Sequence, residues 1–261
     1  MLIKNELKRI FTLPQTWLAL LIGIGIVIIQ GKTIFHANAY FIDSAYMHLT
    51  GFDSTGMGTR LYTTILPLLA AMAGGVFEAD KVSGLNNLKI VRKNRPNYYW
   101  STLTSTFLVG GIIGTLPLIL EGMYFFSKFS IKPIKPNFEL MPIDKIGWGY
   151  QLFIHHPIIF WLLSLIIIFL FSGLFANIAV VTSYFDIKRG IEYIIPFLLV
   201  FLSAIARDVL GQEWLGIPSI LTPTFSNSYQ GTGYAIIAYF IIGMAVIVFL
   251  TIRKLKNDGI S

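Results

Sequence analysis

Cysteine is absent from the 261 residues of this chain, and histidine occurs four times. The first absence excludes disulfides, thiolate metal sites and cysteine nucleophiles. Charge is scarce as well: Asp, Glu, Lys and Arg make up 13% of the residues, where soluble domains carry about 25%. A soluble fold of this length needs a polar exterior that so few charges do not supply. Signatures of nucleotide chemistry are missing too. Gly31-Lys32-Thr33 has the ending of a phosphate-binding loop, but Ile26 stands where the loop needs its first glycine. There is no HExxH, no GxSxG and no glycine-rich dinucleotide fingerprint after a strand. His155-His156 is a poor metal pair because adjacent side chains diverge, and its place beside Pro157 suits a membrane edge. No catalytic constellation, cofactor site or metal site is therefore expected. No small-residue cleavage site follows Ile29, so a signal peptide is not expected.

What the chain has is apolar length: 55% of its residues are hydrophobic. A bilayer core of roughly 30 Å takes about 20 such residues per helix. The pattern predicts one all-α transmembrane domain over 1–261, with six spans at about 14–34, 61–77, 103–126, 157–181, 191–206 and 234–252. Pro67 is expected to kink the second span and Pro196 interrupts the short fifth. Each span must be helical, because unpaired backbone groups in lipid cost several kcal/mol each. Gly110, Gly111 and Gly114 give span three a small-residue surface for close helix contact. Trp17, Trp100, Trp148, Trp161 and Tyr234 lie at span ends, where interfacial anchors are expected.

Basic residues set the orientation. Of the 20 Lys and Arg, thirteen lie in the N-terminal tail, the loops after spans two and four, and the C-terminal tail. The positive-inside rule places those segments, and both termini, in the cytoplasm of a multi-pass cell-membrane protein. The net charge of +7 thus follows from topology and not from a nucleic-acid face. Four lysines in the external loop after span three, Lys128, Lys132, Lys135 and Lys145, weigh against this arrangement. Residues 1–13 form a separate element. Ile3, Leu7, Ile10 and Phe11 recur at helical spacing opposite Lys4, Lys8 and Arg9, which predicts a helix lying in the inner headgroup layer.

Two charged positions stand out within or beside the spans. Glu121 lies in an apolar stretch of span three, where an acid is a functional candidate by default. It either contributes to a pathway, together with Arg207, or faces the interior with a partner such as Arg207 or a lysine. Arg207, Asp208 and Glu213 follow the fifth span closely enough for local ion pairing. Membrane lipids are the one partner these features require.

The loop 78–100 is the most informative segment. Acidic Glu78 and Asp80 come first, then Gly84, then Leu85, Leu88 and Val91 at helical spacing, then Arg92 and Arg95, and aromatics leading into span three. The spacing predicts a short amphipathic helix along the membrane, its other surface facing a cytoplasmic partner. In this layout the chain resembles the permease subunits of ABC transporters of the type-2 exporter class. The resemblance implies an N-terminal interfacial helix, a coupling helix between spans two and three, and outer half-membrane helices between spans five and six. Residues 209–229, apolar yet too short to span, match that last element. It implies that Glu78, Asp80, Gly84, Leu85, Leu88, Arg92 and Arg95, with a smaller contact at Asp186, Lys188 and Arg189, meet a separate ATP-binding subunit. ATP would be bound and hydrolysed on that partner, and a second permease copy or a sister permease would complete the pathway. Export of amphipathic or hydrophobic cargo is implied, such as peptides, drugs or lipids. The Lys-, Ile- and Asn-rich composition resembles that of low-GC Gram-positive bacteria, whose small permeases export bacteriocins or confer immunity to them. The long external segment 127–156 departs from the minimal pattern of the class. A stand-alone channel or ion-coupled carrier is the competing class.

Overall fold

A computed structural model of the chain describes residues 2–38, 44–52, 59–84, 95–131, 147–185, 190–223 and 231–260. Among the described residues every regular element is helical. The elements are α1 (Leu2–Thr12), α2 (Pro14–Asn38), α3 (Thr59–Leu69), α4 (Ala71–Gly74), α5 (Val76–Val82), α6 (Arg95–Lys128), α7 (Tyr150–His155), α8 (Pro157–Thr182), α9 (Ile191–Leu210), α10 (Ile217–Leu221) and α11 (Thr232–Ile260), with 3-10 turns at Ala45–His48 and Glu213–Leu215. Six stretches are long and apolar enough to cross a membrane: Pro14–Lys32, Leu61–Val82, Arg95–Lys128, Pro157–Thr182, Ile191–Leu210 and Thr232–Asn257. The chain is thus a multi-pass membrane protein by the length and composition of its helices.

The central pair is α6 against α8. Small residues allow the approach. A Cβ on Gly110 would run into Ala176 Cβ and the Ser172 carbonyl, and one on Gly114 would overlap the Ser172 hydroxyl. Thr106 donates to Asn177 Oδ1 at 2.7 Å across the same seam, so the one amide in α8 is satisfied inside the bundle. The second span is broken into α3, α4 and α5. Pro67 lacks the amide proton of its helical turn, and the break falls just beyond it, at Ala70. Gly74 then lies on the backbone of α8, where a side chain would strike the Ala176 carbonyl, while Gly75 leaves room for Tyr193 and Gln15. Around this core α9 and α11 expose most of their side chains, as helices bordered by lipid or by another subunit do.

Several boundaries differ from those expected, and the second span continues to Val82, five residues beyond 77. The sixth of these helices extends to Ile260, beyond residue 252. The third starts at Arg95, eight residues before 103, because Tyr98 and Tyr99 are buried against Phe77 and Tyr184 and hold a polar first turn in place. The fifth continues through Arg207 and Asp208 to Leu210, where Gly211 adopts a left-handed conformation (φ 65°) and its amide bonds back to the Arg207 carbonyl. The chain then folds back: α10 is buried against α3, and Thr63 and Thr222 share a 2.7 Å hydroxyl bond.

Candidate functional site

Two buried acids held from distant parts of the chain mark two places, at opposite ends of α6. The first is where α1, α5 and the start of α6 meet. Asp80 is 2% exposed and lies in the last turns of α5. One of its oxygens pairs with the Arg9 guanidinium, and the other accepts the Tyr98 hydroxyl at 2.8 Å. Arg9 also pairs with Glu6 at 2.7 Å, three residues earlier on α1. One arginine thus stands between two buried carboxylates. Ion pairs of this kind compensate desolvation only when hydrogen bonds complete them, and Tyr98 supplies that bond here. The sequence pattern had set Arg9 on the polar face of α1 with Lys4 and Lys8; those two are exposed, but its partners draw Arg9 inward, and Ile10 is buried beside it while Ile3 is exposed.

Glu78 is buried in α5, so Glu78 and Asp80 belong to the continuing second span and not to a loop. Gly84 follows it in a left-handed conformation (φ 70°) with open space around it, the usual stop signal after a helix. Arg95 opens α6 and is half-buried. Leu85, Leu88 and Arg92, the centre of the expected coupling helix, lie outside the described residues, as do Asp186, Lys188 and Arg189.

The second place is around Glu121, two turns from the far end of α6 and 5% exposed. Among the described residues its partner is neither Arg207 nor a lysine. The Thr50 amide donates to both carboxylate oxygens at 3.1 Å, and the Thr50 hydroxyl donates to one of them at 2.7 Å. Arg207 instead pairs with Asp208 at 2.6 Å and donates to Ser219 at 3.2 Å, and Ser219 in turn donates to Glu213 at 2.7 Å. That local cluster ties the end of α9 to α10.

Aromatic rings surround the Thr50 segment. Tyr46, Phe52, Phe125, Tyr150, Phe153 and Phe160 form one buried group. His48 is stacked on Phe129 at 4.1 Å. Trp148 and Trp161, expected as interfacial anchors, pack into this region against Phe160 and Phe126; Trp17, Trp100 and Tyr234 are exposed. His155 and His156 are exposed as well.

Among the described residues, two large grooves lie on the bundle. One, of about 510 Å³, is lined by apolar residues of α8, α9 and α11. The other, of about 490 Å³, lies between α2 and α6 and includes Glu121 and Lys32. Comparison with protein-family models, curated proteins and solved structures finds no match.

Proposed function

We propose that this chain is the membrane subunit of an ATP-driven exporter, with ATP hydrolysed on a separate subunit docked at the end of the bundle that carries α1. The observation supporting this most is the junction at Asp80. It fastens α1 to α5 and α6 within a few residues of the basic sequence 85–94 that joins α5 to α6. A docked motor moving that segment would act on two spans and the N-terminal helix together. Glu78 and Asp80 would then serve as an internal anchor for the coupling segment, with Arg92 and Arg95 nearer the motor. The fold-back after α9 fits a half-membrane hairpin on the outer side, and the exposed faces of α9 and α11 leave room for a second permease. Cargo would be amphipathic or hydrophobic, and the membrane a bacterial cell membrane with both termini inside.

Purification of the tagged chain from its native cells tests this. A stoichiometric ATPase should accompany it, and Gly84→Pro or Arg92→Ala should reduce transport while ATP hydrolysis continues. Repeated purification without an ATPase overturns the proposal. The buried acid Glu121 supports a second possibility, a stand-alone ion-coupled carrier. Transport by the chain alone in ATP-free vesicles would establish that one instead.

A further inference from the structure

Glu121 combines two properties that its packing does not reconcile. It is 5% exposed, and among the described residues its partners are the amide and hydroxyl of Thr50, both neutral. A carboxylate offers about four lone-pair sites, so three donor contacts from a single residue leave it with acceptor capacity. More important, they bring no positive charge. An ionised group buried without a counter-charge costs several kcal/mol, and in a membrane segment such a group is held for a purpose or paired. At the other end of α6, Asp80 meets that requirement with Arg9. Among the described residues no cation pairs with Glu121.

The space beside it is shaped for something apolar. The groove of about 490 Å³ is walled by Ile24, Val27 and Ile28 of α2 and by Pro117, Leu120 and Phe125 of α6. Gly31 helps to form it, since a Cβ there would press on the Phe125 ring. Lys32 also lines the groove but is exposed, so it carries its own charge to the surface and is not paired with Glu121. Seven residues separate Glu121 from Lys128 at the helix end, which sets the carboxylate about 10 Å inside that end at 1.5 Å per residue. A molecule reaching it must therefore enter with its apolar part alongside the helices.

We propose that the groove between α2 and α6 is a binding site for an amphipathic amine, whose ammonium pairs with Glu121 while its hydrocarbon tail lies along Ile24, Ile28 and Leu120. The ligand supplies the counter-charge that the described residues do not, and the groove packs its tail against α2 and α6. A single ammonium suits the site, because a second one would meet the Lys32 charge. The inference gives a chemical class to the cargo of an exporter and depends on that function only for its role in transport. Binding stands on the geometry and is measured without any ATPase. Failure here leaves the ATPase-subunit proposal intact, and failure to find an ATPase leaves this site intact.

The test uses the full chain in phosphatidylcholine nanodiscs and a dodecylamine carrying a photoreactive diazirine in its tail. Crosslinks should map to Ile24–Lys32 and Pro117–Phe125 and should be competed by unlabelled dodecylamine about tenfold better than by dodecanol, a difference of about 1.4 kcal/mol. Glu121→Gln should abolish that preference for the amine. Ile28→Trp, which fills the groove without replacing the carboxylate, should suppress crosslinking at an unchanged melting temperature and keeps the test decisive if Glu121→Gln does not fold. Equal competition by dodecanol in the unaltered chain, an amine preference that survives Glu121→Gln, or unchanged crosslinking in Ile28→Trp overturns the proposal.

Discussion

The two ends of α6 solve the same problem differently. At Arg95–Trp100 a buried acid, Asp80, is balanced by an arginine from another helix and a phenol from a third element. Around Glu121 the acid is held by one neutral residue, and the surrounding stability comes from stacked aromatic rings. A complete ion pair fixes structure; an incomplete one is open to something else. The difference separates a structural joint from a candidate binding position, although both are acids buried in a membrane protein.

Breaking the joint should have the largest effect. Removing one partner of a buried pair costs about 3–5 kcal/mol, so Asp80→Ala should lower the melting temperature in detergent more than any other single change here. Replacing all three charged members together, with Glu6→Leu, Arg9→Met and Asp80→Leu, should recover much of that loss. If Asp80→Ala melts like the unaltered chain, the joint holds nothing. Gly74→Ala gives a reference from the middle of the bundle. Its Cβ meets the backbone of α8, which has no side chain to move aside; overpacking of this kind costs about 1–3 kcal/mol. At the Glu121 end, Glu121→Ala leaves the buried Thr50 amide without an acceptor, at a cost of about 1–3 kcal/mol. Glu121→Gln keeps a carbonyl for it and should melt close to the unaltered chain. A large loss in Glu121→Gln would mean that the charge itself is structural, which would erase the contrast between the two ends.

The smallest effect concerns Tyr46, within the aromatic group. Burial pushes its phenol up to about 12, from about 10 in the unfolded chain. The native state keeps the proton longer, so this contribution is present below pH 10 and fades as pH rises from about 10 to about 12. Melting temperatures of the unaltered chain should fall more steeply across that window than those of Tyr46→Phe; parallel curves would show that the ring is accessible to water.

Hydropathy made the six long helices legible, since each needs only length and composition. Their ends were less legible because neighbours set them. Arg95 to Trp100 is polar and aromatic by itself and becomes helical against Phe77 and Tyr184. Arg207 and Asp208 looked like the start of a loop, yet they form the last turn of α9 and neutralise each other there. The small-residue surface of α6 was visible as spacing, and its partner on α8 was not. The same limit applies to the sites. Glu121 was conspicuous as an acid among apolar residues, but Thr50 carries no mark that identifies it as the partner. Asp80 was singled out as a surface contact, whereas its partners Arg9 and Tyr98 come from distant parts of the chain and draw it inside. Glu6 was missed, although an acid one helical turn before Arg9 was a usable signal.

The joint at Asp80 has a mechanical consequence. Its two oxygens are held by different bodies, one by α1 and the other by α6, while the residue itself rides on α5. It therefore acts as a pin through three rods. Four residues further on, Gly84 adopts its left-handed turn, and among the described residues nothing lies within 4 Å of the place a Cβ would take. A load applied past Gly84 cannot tilt one rod alone. It turns all three about the pin or breaks the pin.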